Sequence, residues 1–208
     1  MKKKLLFYLL VISVVFLVGC TTNNDRDFVG GQFIGGTDGL EIGFVDNEPP
    51  DKIFDDSEDD FDITVRVKNV GEYDIPKNRI IGTISGIDVR DFSLGDANEV
   101  LDFELQAKER FDDEVIDGEQ GELFWSGASY KPDLVADWET LVRVDICYEY
   151  QTKAVTDVCI KREPTDREID DVCNIQNIAV NVENSGAPIQ IRDVSTGTAG
   201  SDEIKLSF

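Results

Sequence analysis

Phe61-Asp-Ile-Thr-Val-Arg-Val-Lys-Asn-Val-Gly71 alternates apolar and polar side chains with period two. In an extended chain Phe61, Ile63, Val65 and Val67 fall on one side, and Asp62, Thr64, Arg66 and Lys68 on the other. A β-strand with one face in a core and one in water fits that pattern. Asn69-Val70-Gly71 ends it with turn residues, Asn through side-chain hydrogen bonding and Gly through its conformational freedom.

Working outward, Leu40, Ile42 and Phe44 alternate with Glu41 and Gly43, and Pro49-Pro50 then blocks a ladder because proline has no amide to donate. Downstream, strands are predicted over 79–85, 87–92, 100–106, 122–126, 140–150 and 155–162, most of them separated by Gly, Pro, Asn or acidic turns. A last series alternates at Ile178, Val180 and Val182, at Ile189 and Ile191, and at Ile204, Leu206 and Phe208. No window of a dozen residues carries an apolar stripe at helical spacing. The expected class is all-β, an antiparallel sandwich or barrel.

Segments 140–150 and 155–162 allow a register test. With Cys147 opposite Cys159, Ile146 meets Ile160, Tyr148 meets Val158, Asp145 meets Lys161 and Arg143 meets Glu163. Apolar partners and opposite charges both match, as cross-strand pairing favours, and only Glu149 against Asp157 clashes. A Cys147–Cys159 bridge across a hairpin is therefore expected. Cys159–Cys173 is the rival, closing the charged connector and leaving Cys147 free.

Three lysines, Lys2 to Lys4, precede an apolar run to Val18, a basic and an apolar region of secretory-signal proportions. Leu17-Val18-Gly19-Cys20 resembles a lipobox, which implies cleavage before Cys20 and acylation of its sulfur. The address implied is extracytoplasmic, membrane-anchored, at a cell surface or in a periplasm. The membrane is then a partner through lipid on Cys20, and the oxidising compartment suits a disulfide. Residues 20–39 follow as lipidated Cys and a Gly-rich flexible tether.

The net charge is −23, from 20 basic and 43 acidic side chains. Loss of the signal segment leaves 17 basic residues and a charge of about −26. Such a charge opposes binding to nucleic acid. Histidine is absent, which removes the commonest general base and the usual zinc and copper ligands. No thiol catalyst is expected without a CxxC pair or a histidine to activate a thiolate. No resident cofactor and no catalytic residue follow, and a non-enzymatic role is expected.

Two candidate ligand sites remain. Asp55, Asp56, Glu58, Asp59 and Asp60 lie in an acidic stretch that could supply calcium with oxygens, without the glycine and terminal glutamate of an EF-hand. A solvated acidic loop is the plainer reading. Trp125, Tyr130 and Trp138 could stack on a sugar, or fill a core, as large aromatics in sandwiches do.

Phe61-Asp-Ile-Thr-Val-Arg-Val-Lys-Asn-Val-Gly-Glu-Tyr-Asp-Ile-Pro76 resembles the Ig-like β-sandwich modules of prokaryotic surface proteins, the CARDB type in particular. There a strand of the form xVxVxNxG turns at its Asn and Gly and passes to the opposite sheet. The resemblance implies an Ig-like antiparallel β-sandwich over 40–162, used as a spacer, adhesion or docking module with a protein partner at the cell surface. Residues 163–173 read as a linker. Residues 174–208 read as a partial second β unit or as packed C-terminal strands, since 189–194 and 203–208 echo 40–45 and 61–67. An unfinished unit of that kind would suit assembly by strand addition.

Overall fold

The computed structural model describes residues 33–56, 59–112, 114–158, 181–198 and 203–208. The described residues contain strands and no helix, and every pairing is antiparallel, so the chain is all-β. The strands are β1 (Leu40–Phe44), β2 (Phe61–Asn69), β3 (Ile80–Ser85), β4 (Asn98–Val100), β5 (Glu109–Phe111), β6 (Glu114–Ile116), β7 (Gln120–Ala128), β8 (Arg143–Tyr148), β9 (Ala154–Val155), β10 (Glu183–Asn184), β11 (Ser195–Thr198) and β12 (Ile204–Ser207).

Two three-stranded sheets, β1-β2-β7 and β4-β3-β8, carry the core. In the first, Ile63 lies opposite Trp125 and Val65 opposite Leu123. Their alternate neighbours Arg66, Glu122 and Phe124 point to solvent. The second sheet supplies Ile80 and Ile84 from β3, with Val144, Ile146 and Tyr148 of β8 packed beside them. The sheets meet at Gly82, where an added Cβ would lie 2.7 Å from Leu123 Cδ1 and 2.9 Å from Trp125 Cη2. Only a residue without a side chain leaves room for Trp125, which is 3% exposed. Each fully buried Val, Leu or Ile contributes about 1.5–3 kcal/mol.

The registers place Leu40, Asn69, Gln120, Ile80 and Tyr148 at one end. Phe61, Ala128, Ser85 and Arg143 stand at the other, while Phe44 reaches only the middle of β2, opposite Val65. At about 3.3 Å per residue, β2 separates these poles by about 26 Å. The Trp138 pole is closed by residues 45–56 and 59–60 and by the loops 86–97 and 129–142. Phe92 and Tyr130, 5.0 Å apart between ring centroids, plug the core from that side.

Several expectations are corrected in detail. Segment 87–92 is no strand: Asp88 Oδ1 accepts the Arg90 N–H at 3.0 Å and the chain turns, so that Leu94 N reaches Val89 O and Phe92 enters the core. Segment 100–106 leaves its ladder at Val100, after which Leu101 and Leu105 bury while Leu105 bridges Ile75. β5 and β6 form an exposed hairpin that no buried alternation announces.

Ala154 and Val155 pair with Asn184 and Glu183 and not with β8, and 156–158 form no strand, so the expected 140–150/155–162 hairpin is not formed among the described residues, outside which 159–162 lie. Residues 189–194 form no strand, and Ile189 is 74% exposed, so the echo of 40–45 is not repeated in structure. Instead β11 pairs β12. The linker 163–173 lies outside the described residues, as do the signal segment and Cys20.

Candidate functional site

Chemistry in this chain concentrates at its two poles. At the first, the turn predicted after β2 is built around a buried amide. Asn69 is 0% exposed, and its Nδ2 donates to Tyr73 O at 2.8 Å and Leu105 O at 3.0 Å, while Oδ1 accepts the Gly71 N–H at 3.1 Å. A buried amide satisfied on both ends is stabilising, where an orphaned one would be costly.

Glu72 follows. Its carboxylate accepts backbone N–H groups from Ile34 and Gly35, each at 2.8 Å, and from Gly186. Lys108 Nζ donates to Gly35 O at 2.7 Å, Tyr150 Oη to Gly186 O at 2.6 Å, and Gln190 Nε2 to Gly36 O at 2.8 Å. Thus 33–36, the turn 69–72 and 184–190 are tied together. Burial pushes the Tyr150 phenol up to about 12, since an ionised ring oxygen is disfavoured away from water. Tyr73 is also raised, through its hydrogen bond to Glu149.

This arrangement can bind and brace. It orders three stretches of backbone, and its polar groups are engaged with one another. Sequence reasoning found Asn69 and Gly71 but missed Glu72. No local signal marks it, since its partners lie 38, 37 and 114 residues away.

At the second pole, Asp55 Oδ2 accepts the Leu134 N–H at 2.8 Å, joining the acidic loop to the loop after β7. That loop exposes Val135 fully, Leu141 by 76% and Trp138 by 55%, with Phe54 at 61% on the acidic loop. Trp138 lies over Tyr130 at a centroid distance of 5.8 Å and 31° between planes. Of the three aromatics singled out, Trp125 and Tyr130 are core and Trp138 alone is presented to solvent. The guanidinium of Arg90 beside Asp88 holds that carboxyl down at about 2.

The proposed calcium ligands do not converge. Asp55 is spent on Leu134, Asp56 has a left-handed backbone (φ 53°), Asp59 and Asp60 are exposed, and Glu58 lies outside the described residues. Among the described residues no three carboxylates or thiols gather where a cation could sit. Cys147 is exposed on β8 and forms no bridge among the described residues, outside which Cys159 and Cys173 both fall. The parity read from its neighbours holds, with Val144, Ile146 and Tyr148 half-buried and Arg143, Asp145 and Cys147 exposed.

No family model, no curated protein and no solved structure matches the chain.

Proposed function

We propose that this chain is a non-catalytic, lipid-anchored surface protein that presents an Ig-like, CARDB-type β-sandwich for adhesion, envelope architecture or docking in an envelope complex. The observation that carries the reading is polarity. Residues 33–36, inside the stretch 20–39 expected to be a flexible tether, are instead fixed by Glu72 and Lys108 at the Asn69 pole. Trp138, Val135 and Leu141 stand at the opposite pole, about 26 Å away along β2. A module fastened at one pole and presenting Trp138, Val135 and Leu141 at the other is suited to holding that second surface away from a membrane. A diacylated Cys20 would hold it stably, since two chains anchor where one is marginal.

The test is mass spectrometry and membrane fractionation of the native chain and its Cys20→Ser variant. The native chain is expected to be cleaved before Cys20 and to carry lipid, and the variant to leave the membrane fraction. Unchanged processing and retention would refute the anchor.

A second reading, assembly by strand addition, is favoured by one observation. Ile42 and Phe44 lie opposite Val67 and Val65 in the ladder and so share their core face, yet they are 47% and 46% exposed. Among the described strands β1 and β8 are also edges of their sheets. An added strand could cover that flank and pair with either edge. Polymerisation of residues 21–208 in size-exclusion chromatography would support this reading over a lone module.

A further inference from the structure

We infer that the Trp138 pole is a protein-docking surface, and that its partner presents an apolar recess rimmed by lysine and arginine. The apolar part is unusual for a solvated loop. Within seven residues Val135, Trp138 and Leu141 all stand out of the core, and Phe54 joins them across the Asp55–Leu134 hydrogen bond. Large apolar side chains gathered on one exposed surface mark interaction sites, whereas scattered ones need no explanation.

Trp138 is held from beneath by Tyr130, which is 8% exposed and packs in turn on Phe92. An aromatic anchor fixed on the core loses little freedom on binding, and that is the kind of residue that dominates interface energy.

The charge around these residues selects the partner. The described parts of loops 45–60, 86–97 and 129–142 hold thirteen carboxylates against three cations, Lys52, Arg90 and Lys131. Arg90 is already paired with Asp88 at 2.6 Å, and Lys131 Nζ donates to Arg90 O. The corresponding segments toward the Asn69 pole, 70–79, 101–119 and 149–153, hold ten described carboxylates against five cations.

The excess is therefore greater at the pole where Val135, Trp138 and Leu141 project than beside Phe103, Phe111, Val115 and Ile116. A second copy of this pole would meet like charge, and so would an anionic lipid surface. A glycan could stack on Trp138 but has no use for the aliphatic Val135 and Leu141 beside it. A basic rim around an apolar recess satisfies both the charge and the exposed carbon, and would speed encounter at low salt.

The experiment uses the full chain carrying Cys20→Ser, so that docking is read apart from anchoring. It is immobilised and used to select from a displayed random-peptide library. The selected peptides are then titrated against this chain, against its Trp138→Ser/Leu141→Ser variant, and against Phe111→Ser. Phe111 is 69% exposed on β5, away from the pole, and controls for general loss of surface carbon.

The expected result is peptides in which Lys or Arg flanks an aliphatic or aromatic residue. Their affinity should fall at least tenfold for the double variant, hold for Phe111→Ser, and drop with added salt. Peptides without cationic bias, or peptides that bind the double variant equally, would overturn the proposal. So would an empty selection, or Trp138-dependent binding to glycans, to phosphatidylglycerol vesicles or to a second copy.

Discussion

A Cβ at Gly71 would lie 1.6 Å from the phenol oxygen of Tyr150, far inside van der Waals contact, and 2.7 Å from Gly186 O. Gly71 is thus required by what passes over it. Gly71→Ala is expected to cost several kcal/mol, in the range of overpacked cores, about 1–3 kcal/mol or more. Tyr150→Phe should recover part of that loss by removing the oxygen, the clashes with the ring Cζ and with Gly186 O, both at 2.7 Å, remaining. Chemical denaturation of both single variants and the double one measures the coupling.

Glu72→Ala removes the acceptor of three backbone N–H groups. Hydrogen bonds to a charged group contribute about 1.5–3 kcal/mol, and those amides would have water as the alternative. A loss of about 2–3 kcal/mol is expected in unfolding experiments. Amide exchange should quicken at Ile34, Gly35 and Gly186, while Val65 and Val67 of β2 stay protected.

Asn69→Ala strips a fully buried amide of three bonds and leaves Tyr73 O, Leu105 O and the Gly71 N–H without that partner. An expected cost of about 2–4 kcal/mol follows from the orphaned backbone groups. Asn69→Asp should be comparably harmful, since it keeps the acceptor but loses both donated bonds. Thermal unfolding of the three proteins checks this.

Tyr150 ionises at about 12 in the folded chain, against 10.0 for an unperturbed phenol, chiefly because it is buried. The unfolded chain therefore loses this proton first as pH rises. Stability from this group is complete below pH 10 and is lost as pH climbs toward 12. Absorbance at the tyrosinate band should show a late-titrating phenol that Tyr150→Phe abolishes, together with a flatter decline of stability above pH 10.

The proposed Cys147–Cys159 bridge gains a geometric condition from the ladder. Glu149 N bonds to Arg79 O, so the odd-numbered residues of β8 spend their backbone groups on β3. A strand on the other edge would meet Cys147 in a non-hydrogen-bonded pair. There the Cα atoms stand about 4.5 Å apart, within disulfide range. Intact mass under non-reducing conditions and peptide mapping are expected to find Cys147 joined to Cys159. A Cys159–Cys173 peptide would establish the rival.

Much of the fold was legible because burial here follows period two. β3 and β8 turn one face inward and the other outward, and β2 does so except at Thr64, which is 3% exposed, so the alternation reads directly from Val65, Ile84 or Ile146. Asn69-Val-Gly71 was legible for the same local reason. Segment 87–92 misled because Ile87, Val89 and Phe92 supply apolar spacing while the Asp88 side chain closes a turn through them. The Glu72 clasp was invisible, since its acceptor atoms serve amides 38, 37 and 114 residues away and nothing local sets it apart from the other acids. The exposed pole was half legible. Trp138 was noticed, but whether it faced core or water depended on Tyr130 taking the core position first.

The bonds that fasten 33–36 also determine how the chain meets a pull. Force entering through residue 33 reaches Glu72 and Lys108 before it reaches β1, and β1 runs antiparallel to β2 from Leu40 opposite Asn69. A tug directed away from the Asn69 pole would load the β1–β2 ladder along its length, so that its hydrogen bonds share the strain and do not open one at a time. The carboxylate of Glu72 stands ahead of that ladder as a mechanical fuse.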